Sequence, residues 1–136
     1  MKPSIEGANH ILQTVFLGQS WYIGLFEGDY TPNGAETAAN IAALATECTS
    51  FSQANRPQAV FGAPAGGAQD NAAGLSTWTF TANKTLYGAF LISSNVKAGT
   101  GGKNMVAVRF PNPRTVEAGE SMGLYAAQVF NLVNEA

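Results

Sequence analysis

The chain has 136 residues, a net charge of −2 and a charged fraction of 12%. That length suits one domain with a core of its own, not two. Its seven lysines and arginines are scattered rather than gathered into the basic face that a phosphate backbone requires, which argues against nucleic acid. Ordinary soluble domains carry about 25% charged residues, so this surface is rich in small uncharged side chains and inclined to associate.

Residues 1–20 read as an N-terminal arm. Ile11, Leu12, Val15 and Phe16 are spaced as one short helical face and are the candidates for contact with a neighbouring protein or a second copy. Packing on the arm's own domain is an equal alternative. In the first case, residues 1–17 could be removed without unfolding the domain. No export signal is evident, because Glu6, Asn9, His10 and Gln13 interrupt any apolar run. No segment approaches the roughly 20 apolar residues needed to span a bilayer.

From Trp21 the pattern is β. Trp21–Phe26 is aromatic and β-branched, and Glu27-Gly28-Asp29 ends it. A loop with Pro32 and Asn33-Gly34 leads to an Ala-rich stretch, 35–46, which reads as a short helical insertion with Ile41, Leu44 and Ala45 on one face. Thr49–Gln53 and Ala59–Phe61 are short strands. Ser76–Thr81 alternates, with Trp78 and Phe80 inward, and Ala82-Asn83-Lys84 turns as in a hairpin. Thr85–Ile92 is apolar on both faces, with Gly88 marking a bulge or a close backbone approach.

A glycine-rich loop follows at 93–104, read as a flexible hairpin tip. Met105–Phe110 is a strand stopped by Pro111-Asn112-Pro113. Thr115-Val116 is short, and Glu117–Glu120 turns. Ser121–Val133 is the last and longest strand, with Met122, Leu124, Ala126, Phe130 and Leu132 on one face. Seven or eight short strands with Gly/Pro-rich turns predict an all-β fold. The expectation is a jelly-roll-like β-sandwich of about eight strands over 21–136.

The sequence carries little catalytic chemistry. Glu27/Asp29 and Glu117/Glu120 are the close carboxylate pairs, and both fall in predicted turns. Cys48 and His10 are the only cysteine and histidine, which leaves no disulfide and no convincing transition-metal set. Cys48 reads as buried and inert. A calcium site from Asp29 and Asp70 lacks EF-hand spacing. Lys97–Asn104 only superficially matches a phosphate loop, since Lys97 stands where the first glycine belongs and Asn104 where a Ser or Thr belongs. Trp21, Tyr22, Trp78, Tyr87 and Phe90 are either a sugar-stacking platform or core, and alternation favours core.

Several blocks in order resemble the cement, or decoration, proteins of tailed-bacteriophage heads. They are Trp21–Phe26, Glu47-Cys48-Thr49-Ser50-Phe51, Asn55-Arg56-Pro57, Thr85–Leu91, the Lys97–Lys103 loop, Arg109-Phe110 and Pro113-Arg114. The resemblance implies a jelly roll, a homodimer and docking on the outside of the virion's capsid, against the major capsid protein. It implies assembly in the host cytoplasm and no reaction, cofactor, membrane or small-molecule substrate. A carbohydrate-binding jelly roll of a host-recognition structure is the alternative.

Overall fold

The computed structural model describes residues 4–129. After helix α1 (Ile5–Leu12) and a π-helical turn (Gln13–Leu17) come β1 (Trp21–Phe26) and a one-turn helix, α2 (Ile41–Leu44). The remaining strands are β2 (Gln58–Ala59), β3 (Ala68–Asp70), β4 (Ser76–Thr79), β5 (Lys84–Ile92), β6 (Asn104–Val116), β7 (Ser121–Leu124) and β8 (Ala127–Val129). The fold is all-β, as expected, and its strand pairs are antiparallel. One sheet has the order β2-β1-β5-β6, and β3-β8 and β4-β7 form two further pairs. The pairs β5-β6, β4-β7 and β3-β8 nest around the β5–β6 connection.

The four-stranded sheet is covered on both faces. On one, Ile23, Leu25, Leu86 and Leu91 meet Trp78, Phe80 and Met122 from the β4-β7 layer in the main core. On the other, Phe26, Phe90 and Ile92 pack against Ala38, Ile41 and Ala45. This second face explains why β1 and β5 are apolar without alternation. It also explains two glycines. Gly24 lies opposite Phe90 and Gly88 opposite Phe26 in the β1–β5 register. Each phenyl ring occupies the space where the opposite glycine's Cβ would stand. Gly88 also sits at a shift in the β5–β6 register, so both meanings of a mid-strand glycine are realised.

The N-terminal segment packs on its own domain. Ala8 and Leu12 are buried, and Val15 and Phe16 pack against the main core. The Phe16 ring lies 5.9 Å from Trp21 and 5.5 Å from Phe61, and the Trp21 indole N–H donates to Val15 O at 2.8 Å. These contacts follow the second of the two alternatives for the arm, and they cover Trp21 and Phe61.

Several expected elements take another form. The 35–46 helix shrinks to α2, because side chains claim the backbone groups ahead of it. Glu36 accepts from the N–H groups of Asn33 and Gly34, and Asn40 Oδ1 accepts from Thr37 N. Leu44 leaves the expected apolar face and is exposed, while Ile41 and Ala45 are buried. Thr49–Gln53 makes only a bridge, Phe51 to Phe80. Ala82-Asn83-Lys84 joins no hairpin: β4 pairs with β7, whereas β5 pairs with β1 and β6. Asn83 Oδ1 instead accepts from Ala118 N at 2.9 Å.

Pro111 and Pro113 do not end β6, which runs on to Val116. Leu86 pairs with Arg114 and Gly88 with Arg109, so residues 110–113 bulge out opposite Tyr87. An edge strand tolerates proline because its outer N–H groups are not committed to the ladder. The final strand is broken at Tyr125-Ala126. Buried Asn71 donates through Nδ2 to Leu124 O at 3.1 Å and accepts at Oδ1 from Ala126 N at 2.8 Å. One amide thus imitates a strand neighbour, and the chain passes from β4 to β3 across it. Of the face expected on that strand, Met122 is buried and Leu124 and Ala126 pack on the core, whereas Phe130 and Leu132 lie outside the described residues.

Candidate functional site

The main concentration of buried polar chemistry lies where the 47–57 segment meets the β5–β6 loop. Glu47 and Arg56 form an ion pair whose side chains are 1% and 0% exposed. Arg56 Nε donates to Glu47 Oε2 at 2.9 Å and Nη2 to Oε1 at 2.7 Å, a two-pronged match of guanidinium to carboxylate. The remaining donors turn to the loop: Nη1 to Ser94 O at 2.9 Å and Nη2 to Gly99 O at 3.1 Å. Glu47 Oε1 also accepts from Ala98 N at 3.2 Å. The guanidinium carbon lies 5.3 Å from the centre of the Phe90 ring.

Taking these two ions out of water costs several kcal/mol each, and only close pairing with full hydrogen bonding offsets it. The geometry meets that condition, and its product is a fixed loop. Ser93 N donates to Lys103 O at 3.0 Å and Lys103 N to Ser93 Oγ at 2.8 Å, closing the base. Lys97 sets its ammonium 3.9 Å from the Phe51 ring centre and donates to Phe51 O at 2.7 Å. Ala98 holds φ +56°, a left-handed conformation rare for a residue with a Cβ. The expectation of a flexible tip is therefore corrected to a tied one. Sequence reading treated Arg56 as one more scattered cation. Its neighbours Asn55 and Pro57 marked a turn, but nothing local announced a partner nine positions earlier and two loop carbonyls about forty positions later.

The other candidates disperse. Of Ile11, Leu12, Val15 and Phe16, only Ile11 is exposed, at 39%. Glu27 pairs with Lys84 at 3.2 Å, and Asp29 pairs with Arg109. Glu120 caps its own turn by accepting from Glu117 N at 3.0 Å and faces Arg114 at 3.7 Å. Glu27, Asp29 and Glu120 are therefore engaged in ion pairs, and Glu120 also closes its turn. Cys48 is buried, and desolvation pushes its thiol pKa up, away from the thiolate a nucleophile needs. Asp70 caps Ala72 N and accepts from the Tyr125 hydroxyl. Among the described residues, no three His, Cys, Asp or Glu side chains gather as a metal set. Trp21, Trp78 and Phe90 are core, so the aromatic residues do not make an exposed stacking platform. No described helix is long and apolar enough to cross a membrane.

The outer surface has an apolar side. A groove of about 350 Å³ with uncharged walls lies between β6 and the β7–β8 corner, bordered by Val106, Val108, Leu124 and Tyr125. Val108 and Tyr125 are more than half exposed. No protein-family model matches the chain, and no curated protein matches it.

Proposed function

We propose that this protein is a structural virion component that binds the outer surface of a tailed-phage head and stabilises the major capsid protein shell. The supporting observation is a convergence. Three separate blocks that carry the resemblance, Glu47–Phe51, Asn55-Arg56-Pro57 and Lys97–Lys103, meet at one buried ion pair and its loop. A set of words spread along the chain thus corresponds to one built feature in space. The nested strand pairs further support reading the fold as a jelly roll. The low charge and the apolar side of β6 suit a subunit that covers part of its surface by docking and by pairing as a homodimer.

A ligand that binds only the assembled shell stabilises it by mass action, and many copies on a lattice add avidity. Co-sedimentation with expanded heads that lack this protein tests the reading. Saturable binding accompanied by increased heat resistance of the heads is the expected result. Failure to bind either expanded or unexpanded shells would remove the proposal.

A further inference from the structure

We infer that the loop 93–103 is a preformed docking element for a carboxylate-bearing protein surface, held ready by the Arg56–Glu47 pair. The inference deepens the shell-binding reading and rests on it.

Length is the first ground. Neighbouring antiparallel strands such as β5 and β6 need a connection of only about two to five residues. Here the chain spends residues 93–103 on it. The loop is longer than the turn needs, and it is tied at Ser93, Ser94, Lys97, Ala98 and Gly99. A charge pair in the protein's interior and a left-handed alanine are both unfavourable by themselves. They hold the loop's backbone in one shape, and a loop already ordered loses less freedom when it binds.

The loop's surface indicates the partner. Residues 93–103 include two lysines and no carboxylate, in a chain whose net charge is −2. Lys97 is committed to Phe51, whereas Lys103 is exposed and forms no ion pair among the described residues. Val96 is 55% exposed beside them. Gly101 has open space where a Cβ would stand, so a partner can approach the backbone closely. One free cation, an apolar contact and bare backbone suit carboxylates on a protein surface. A phosphate backbone would call for a wider basic face.

The test uses the full chain and expanded phage heads that lack it. Lys103→Glu and Val96→Asp should each weaken co-sedimentation roughly tenfold or more, with thermal melting unchanged. The pair replacement Arg56→Met with Glu47→Leu keeps the interior filled and frees the loop, and it should also weaken binding. Arg114→Glu, at the opposite end of the β5–β6 ladder, is the control and should bind as the parent does. If the parent chain binds no heads, the shell reading and this inference fall together. If the parent binds and the loop variants match Arg114→Glu, the loop inference alone is overturned. Loop-dependent binding to naked double-stranded DNA of equal strength would also overturn it, by making phosphate the ligand.

Discussion

The main core and the Glu47–Arg56 centre are both buried, yet they are held by opposite means. Around Trp78, the sheets meet through apolar area, where many small contributions add and no single contact decides the outcome. Around Arg56, a few directed bonds must all be present, because a buried charge without its partner is worse than no charge. The first arrangement is indifferent to which apolar shape fills it, within limits of volume. The second singles out one loop conformation and is unforgiving of partial change. The difference shows where this protein invests in stability and where it invests in shape.

The two centres can be disrupted in graded steps. Trp78→Ala should have the largest effect, about 3–5 kcal/mol of lost stability, through missing transfer energy and an unfilled cavity. Denaturant titration should show that loss to be nearly independent of salt. Arg56→Met should cost a comparable 3–5 kcal/mol by stranding Glu47. The two sites part company in their second variants: adding Glu47→Leu should recover most of the Arg56→Met loss, since the deficit is an unpaired charge, not missing volume. A double variant as unstable as Arg56→Met alone would contradict the ion-pair account.

Asn71→Ala should cost about 1–3 kcal/mol, because Leu124 O and Ala126 N lose their buried partner. Amide exchange at Ala126 should rise with it; unchanged protection would show that the amide does not make the corner. The smallest effect belongs to Glu36 on the surface. The Tyr30 hydroxyl, followed by the backbone N–H of Asn33, holds its carboxyl pKa down at about 2, against an ordinary 4.5. A folded-state pKa below the unfolded one means that its stabilising contribution is full above about pH 4.5 and drains away as pH falls towards 2. Glu36→Gln should flatten that part of the stability profile, lowering melting slightly at neutral pH and leaving it nearly unchanged near pH 2.

How far the fold was legible varied with the range of the signal. β1 was readable to the residue from Trp21–Phe26, and the inward placement of Trp78 and Phe80 followed from period-two alternation. Gly88 was readable as a crowded position, though the Phe26 ring that crowds it was not. The alanines of 35–46 favour helix, but Glu36 and Asn40 bind backbone groups ahead of it and leave only one turn. The prolines of β6 signal a strand end locally, but whether a strand lies at an edge that tolerates them depends on its neighbours. The ion pair at the candidate site was invisible, as its partners are local to nothing in the chain.

The sequence by itself determined part of the layers: that β1, β4 and β5 are extended, that Trp78 and Phe80 face inward, and that the surface is poor in charge. Those properties are local, set by alternation and turn chemistry within a few residues. Only the tertiary structure decided which strands pair, that the N-terminal segment covers Trp21, and that Arg56 meets Glu47 beneath the loop. Each of these joins groups that are unfavourable or unspecified alone. Burial strengthens an ion pair only once both charges have been brought together and the remaining hydrogen bonds are supplied, and that condition exists only in the assembled fold.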